Sequence, residues 1–238
     1  MPHVVICLPT YNERENLAPM VRALAEVLPE GGRVLVIDDD SPDGTGELAD
    51  RLAAELEYVD VMHRTRKEGL GPAYVAGFRR ALAEGAELIL EMDCDFSHDP
   101  ADVPRLIAAA ADADVVLGSR YVPGGGTRNW NALRRLISYG ASLYTRILLM
   151  PIRDPTGGFK CYRREVLERI DLDAIRSRGY AFQIETTYRA LRAGFRVVEL
   201  PITFVDREAG GSKMSRAIVL EAAWKVPALR VAALARRL

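Results

Sequence analysis

Two acidic clusters carry the chemistry that this sequence announces first. Asp93-Cys94-Asp95 lies in the stretch MDCDFSHDP, directly after the apolar run LILE. Carboxylates two residues apart at a strand end repel one another unless a cation sits between them. A hard divalent ion with oxygen ligands meets that need and keeps open positions for substrate phosphates. A three-residue D-x-D is common by chance; its position between an apolar strand and a helix start gives it weight. His98 follows, but a lone histidine in a polar loop is explained equally well by an ordinary hydrogen bond. The second cluster, Asp38-Asp39-Asp40, opens the stretch DDDSPDGT. Asp, Pro and Gly also build plain solvated turns and helix caps. At a strand's carboxyl end, however, such carboxylates can accept hydrogen bonds from the base or ribose of a nucleotide.

These clusters need elements to hold them, and the chain supplies an alternating set. Short runs rich in Val, Ile and Leu at 4–8, 33–37, 59–63, 88–92 and 115–118 read as buried strands. Between them, 16–28, 45–56, 72–83 and 100–111 carry apolar residues at three-to-four spacing, the mark of helices. Alternation of this kind predicts a mostly parallel sheet with helices on both faces. Ligands then bind beyond the carboxyl ends of the strands. PTYNE, DDDSPDGT, DCDFSHDP and GSRY all fall at such ends. After Tyr121 the alternation breaks. A loop VPGGGTRNWN, whose glycines at 124–126 read as the one loose segment, leads to a helix near 132–149 and the stretch DPTGGFKCYR. A helix at 182–193, a strand at 197–205 and a basic helix after Ser212 complete the chain.

Composition narrows the classes. The 238 residues are 49% hydrophobic and 27% charged, enough for one α/β domain of some size plus an appendage. A formal net charge of −1 gives no global polycation, so nucleic acid is not an expected partner. Cys7, Cys94 and Cys161 are odd in number and lack metal-ligand spacing, as in buried thiols of a reducing compartment. No signal peptide is read at the strand-like N-terminus, and no run approaches a membrane span. No G-x-G-x-x-G opens the first helix, which argues against a dehydrogenase. The glycine run that a nucleotidyltransferase would place after its first strand comes only at 124–126.

Taken in order, PTYNERENL, IDDDSPDGT, MDCDFSHDP, GSRY, RNWN, TGGFKCYR and FVDREAGGSKM resemble the polyprenol (dolichyl) phosphate mannosyltransferases. These are inverting glycosyltransferases of family 2 with the GT-A, nucleotide-diphosphosugar fold. The likeness spans roughly residues 3 to 215. It implies an α/β GT-A catalytic domain at 1–212 and, at 213–238, a basic amphipathic helix for a membrane or partner contact. The implied reaction moves mannose from GDP-mannose to a polyprenyl phosphate with inversion. A glucosyl transfer from UDP-glucose and a silent sugar-nucleotide-binding module are the competing expectations.

The resemblance also implies roles. Pro9, Tyr11, Glu13, Ile37 and Asp39 would hold the nucleoside end of the donor. Asp93, Cys94 and Asp95 would meet its diphosphate, with Asp93, Asp95 and Ser97 around Mg²⁺ or Mn²⁺; relatives with a Gln ligand have it where Ser97 stands here. Arg120, Arg207 and Lys213 match phosphate-contacting positions, and Arg134 an arginine for the acceptor phosphate. Asp95, Arg120, Arg134 and Arg207 are thus the candidate catalytic residues. The set suits a phosphate nucleophile, whose second pKa of about 6 leaves it largely dianionic at neutral pH. Such an acceptor needs charge neutralised and substrates aligned, not a proton removed. Arg134, with its apolar helix, and the tail beyond Arg216 suggest a peripheral protein on the cytoplasmic face of a membrane, or docking to a membrane-embedded subunit. The apolar helix fits a core position equally well at this stage.

Overall fold

The strands are apolar on both faces, as a sheet covered from two sides requires. In β1 (Val4–Thr10), Val4, Ile6 and Leu8 face one core cluster while Val5 and Cys7 face another. In β2 (Arg33–Asp38), Val34 and Val36 join the first cluster, and Leu35 and Ile37 the second. The first cluster is closed by α1 (Arg14–Ala25), α2 (Thr45–Glu55) and α4 (Val103–Ala109), the second by α3 (Leu70–Ala83), α6 (Arg164–Arg169) and α7 (Gly179–Arg192). In this computed structural model the described residues are 2–175, 177, 179–206 and 216–235, the side chains of 216–223 excepted.

With β3 (Val59–His63), β4 (Leu88–Glu91), β5 (Val115–Ser119), β7 (Lys160–Arg163) and β8 (Val197–Pro201), the main sheet has the order β3-β2-β1-β4-β7-β5-β8. β7 runs antiparallel to both neighbours, and the other pairings are parallel. The carboxyl ends of β1, β2, β4 and β5 therefore share one edge. Chain order reverses between β1 and β4, the switch point where open α/β sheets form a crevice.

The last four residues of DPTGGFKCYR, a stretch to which the sequence assigned no element, form β7. One expectation is corrected. The expected strand at 197–205 divides at Ile202, because Pro201 lacks the N–H to continue the ladder. Ile202 N donates to Ser119 O at 3.1 Å, after which β9 (Thr203–Val205) leaves to pair with β6 (Gly126–Arg128). The helix α5 (Ala132–Leu148) and the terminal α8 (Arg216–Leu234) pack on one another, and α8 also packs on α7.

Candidate active site

Three loops at the shared edge turn through left-handed residues: Asn12 after β1, Asp40 after β2 and Phe96 after β4. Asn and Asp accept this backbone readily, whereas an aromatic does so at a cost of about 1–3 kcal/mol. At Phe96 the turn brings Ser97 N to 3.0 Å from Asp95 Oδ1. Asp93 is held by its neighbours: its N–H donates to His98 Nδ1 at 3.2 Å, and Tyr74 OH donates to its Oδ1 at 3.4 Å. Burial holds His98 down to about pKa 4, so the ring is neutral and able to accept. It stacks on Phe159 at 5.0 Å.

Two cavities meet at the D-x-D. The first, of about 270 Å³, is lined by Pro9, Tyr11, Glu13, Asp39, Asp93, Cys94 and Asp95, all expected from the sequence. Lys67, Gly69, Leu70 and Tyr180 are among the other residues of its wall and were not expected. Lys67 Nζ sits 3.5 Å from the centre of the Tyr11 ring. Asp39 organises that loop, accepting from Glu68 N at 3.2 Å, from Gly69 N at 3.3 Å and from Arg64. The rule that drew attention to the ends of β1, β2, β4 and β5 applies equally to β3, which precedes this loop. Ile37 lies elsewhere: its side chain is buried in the core cluster beneath α3, and only its carbonyl, which accepts from Thr10 Oγ1, faces the neighbouring strand end.

The second cavity, of about 80 Å³, shares Asp93, Asp95, Leu70 and Tyr180 with the first. Ser97, Arg120 and Arg134 line it. Arg120 is fully committed on one edge. Its Nε and Nη2 donate to the Asp154 carboxylate at 2.7 and 2.6 Å, and Nη2 reaches Thr156 Oγ1 at 2.8 Å. Asp154 also accepts from Arg120 N at 2.8 Å. Burial opposes the Arg120 charge, but Asp154 more than offsets this and holds its pKa above the ordinary value. Among the described residues the Nη1 edge has no hydrogen-bond partner, so this arginine brings charge and one edge rather than an open fork. Asp154 is the residue that sequence reasoning missed, because in DPTGG it looks like any turn aspartate.

Arg134 is set by helix capping. Asn131 Oδ1 accepts from Arg134 N at 2.8 Å, which fixes Arg134 in the first turn of α5. Its guanidinium pairs with Asp206 and lies 4.4 Å from the Trp130 ring centre. Arg207 and Lys213 fall outside the described residues. Around α5, Tyr121 OH donates to Ser138 Oγ at 2.7 Å and ties the helix to the end of β5. The glycine loop expected to be loose is packed: a Cβ on Gly125 would stand 2.4 Å from Ser119 O and 3.0 Å from the Arg120 carbonyl carbon. Gly125→Ala should therefore push on the backbone that carries Arg120, lowering stability by about 1–3 kcal/mol. Urea unfolding of this variant at wild-type stability would show that the loop can yield.

Asp93, Asp95 and Ser97 offer only oxygen donors to the cavity. Among the described residues, no group of three His, Cys, Asp or Glu side chains forms a closed cage. A sparse, hard donor set of this kind fits a divalent ion that draws its remaining ligands from water and a diphosphate.

The glycosyl transferase family 2 model matches residues 5–171. An undecaprenyl-phosphate mannosyltransferase of Micrococcus luteus is 53% identical over 220 residues, covering 92% of this chain and 90% of its own. A polyprenol monophosphomannose synthase of Mycolicibacterium smegmatis is 53% identical over 225 residues, covering 93% and 84%. Among solved structures, a Pyrobaculum calidifontis mannosyltransferase in complex with GDP-mannose and Mn²⁺ superposes with a TM-score of 0.62 at 18% identity, covering 99% of this chain and 75% of that one. Glucosyl-3-phosphoglycerate synthase from Mycobacterium tuberculosis superposes with a TM-score of 0.68 at 18% identity, covering 95% and 80%. The fold is that of the GT-A glycosyltransferases, and the chain is a glycosyltransferase belonging to glycosyl transferase family 2.

Proposed function

We propose that this enzyme transfers mannose from GDP-mannose to a polyprenyl phosphate, in one inverting displacement that releases GDP. The observation that carries the proposal is the meeting of two cavities at Asp93 and Asp95, the second of them also lined by Arg120 and Arg134. The names of the relatives at 53% identity support both the sugar and the class of acceptor. In this arrangement the first cavity takes the nucleoside, with Tyr11 and Lys67 against it. Asp93, Asp95 and Ser97 would hold Mg²⁺ or Mn²⁺, which supplies charge compensation for the departing diphosphate. Arg120 and Arg134 draw the acceptor phosphate to the opposite side of the sugar. The acceptor is already an anion, so no protein group has to remove a proton. Arg207 and Lys213, outside the described residues, are the further cations that the family resemblance assigns to phosphate.

The lipid end is served by α5. Among the described residues its buried positions are Ser142 and Thr145, while Leu133, Leu136, Tyr139, Leu143 and Ile147 are exposed. A core helix would hide these, so the core position fails. No described helix is long and apolar enough to cross a membrane. The exposed face suits the headgroup region, with Arg135 and Arg146 beside it. Trp224, Val231 and Leu234 of α8 are exposed as well and would extend that contact, or receive a membrane-embedded partner. On this reading the enzyme works peripherally at a membrane surface, the cytoplasmic one being part of the proposal.

The test offers purified protein labelled GDP-mannose or UDP-glucose, with polyprenyl phosphate in liposomes, and then extracts the lipid. The expected product is a β-mannosyl lipid, formed with Mg²⁺ or Mn²⁺ and not in excess chelator. A glucosyl lipid would favour the alternative donor. An α-linked product, or an unlabelled lipid, would reject the proposal.

A further inference from the structure

Among the described residues, Gln183 Nε2 beside the second cavity has no hydrogen-bond partner. Gln183, on α7, is buried with 1% of its surface exposed, and its side chain lines the cavity between Tyr180 and Gly158. Its amide orientation is settled from below. Lys160 Nζ, at the start of β7, pairs with Glu91 Oε1 at 3.0 Å, and both side chains are wholly buried. The same ammonium donates to Gln183 Oε1, to Gln183 O at 3.3 Å and to Thr186 Oγ1 at 3.4 Å. An ammonium has no acceptor to offer, so the amide oxygen must face it and Nε2 must turn away. Burial pushes the Glu91 carboxyl up, and Lys160, Tyr162 and Gln183 oppose that rise. The Gln183 amide is near enough to Glu91 for the carboxylate to feel it, yet no described atom accepts from Nε2 in ordinary hydrogen-bond geometry. A Cβ on Gly158 would stand 3.2 Å from it, so any side chain at 158 would crowd this nitrogen. A buried amide left in this state costs about 1–3 kcal/mol, which a ligand can return.

The ligand follows from position and charge. In a single displacement the sugar lies between its leaving diphosphate and the attacking phosphate. Here that is the space between Asp93–Asp95 and Arg120–Arg134, which Gln183 borders. The charged groups on either side suit the two phosphates. The wall formed by Thr156, Gly157, Gly158 and Gln183 is neutral, and a neutral amide matches a neutral hydroxyl. Resting on the transfer reaction put forward above, we propose that Gln183 Nε2 donates a hydrogen bond to one hydroxyl of the transferred hexose and so selects the sugar.

Gln183→Met tests this with little change of shape, because Lys160 keeps Glu91, the residue-183 carbonyl and Thr186. Calorimetry on GDP, GDP-mannose and analogues of GDP-mannose each lacking one hydroxyl reads the contact without any lipid. In the wild type, one deoxy analogue should bind roughly ten- to a hundredfold more weakly than GDP-mannose. Q183M should lose a similar factor on GDP-mannose, no longer discriminate against that analogue, and bind sugar-free GDP as before. Such non-additivity is what a direct contact produces. Equal binding of every analogue by the wild type would overturn the proposal, and so would discrimination retained in Q183M. A parallel loss of GDP affinity would assign the amide to the diphosphate and overturn it too. If Q183M does not fold, Q183E keeps the oxygen facing Lys160 and removes the donor, and the wild-type series stands by itself. Tight GDP-mannose binding without lipid transfer would fail the proposed reaction alone and leave the amide contact measurable.

Discussion

Asp95→Ala should reduce sugar transfer by roughly a thousandfold or more, while the folded molecule survives almost untouched. The carboxylate lines both cavities, and under the proposed reaction it meets both diphosphate and cation. Removing it takes away several kcal/mol of charge stabilisation as the diphosphate leaves, which is a factor of about 10³ in rate. Its structural contribution is small by comparison. The hydrogen bond from Ser97 N to Oδ1 is worth about 1 kcal/mol net. Asp95→Asn is the sharper variant, because it preserves an acceptor for Ser97 and removes only charge. Transfer of labelled mannose to lipid, beside thermal unfolding of the same preparations, separates the two effects. A D95A enzyme retaining a tenth of wild-type activity would show that the diphosphate is met elsewhere.

Asp154→Ala should be the most destabilising single change near the site, by about 3–5 kcal/mol, because it strands a buried charge. Asp154 is wholly buried and accepts three hydrogen bonds from Arg120, one of them from its backbone. Without it the guanidinium keeps Thr156 and its place among Tyr121, Trp130 and Phe204, each about 5.3–5.5 Å from its central carbon. Those contacts do not neutralise a desolvated cation. The double variant D154A/R120M should recover part of the lost stability, since the uncompensated charge leaves with the arginine. Under the proposed reaction it should remain inactive, because an arginine assigned to the acceptor phosphate is gone. Urea unfolding gives the three free energies. A D154A protein within 1 kcal/mol of wild type would mean that the pair is not the anchor described here.

The parts of the site that were legible share a physical reason. Asp, Pro and Gly at the ends of β1, β2 and β4 cannot belong to a core, so their placement after apolar runs stands out. PTYNE and DDDSPDGT stood out in that way, and the family resemblance then picked Pro9, Tyr11, Glu13 and Asp39 from them, all of which line the cavity. Ile37 shows the limit, because in a two-sided strand neighbouring residues face opposite cores and the pattern does not say which end reaches a ligand. β7 was illegible for a related reason. KCYR is four residues long with a lysine at its head, and only the Glu91 carboxylate beside it makes that lysine an interior residue. Asp154 and Gln183 act through partners far away in sequence, at Arg120 and Lys160. No local window joins them.

The antiparallel strand also bears on how such a sequence can be recombined. β4 makes no ladder with β5; the first four strands reach β5 and β8 solely through β7. An exchange between two homologues with its breakpoint anywhere from residue 92 to 159 would inherit β4 from one parent and β7 from the other. Glu91 and Lys160 would then come from different lineages at the one join that makes the sheet continuous. A breakpoint in this stretch, which carries α4, β5, β6 and α5, therefore asks two lineages to agree at a single buried ion pair.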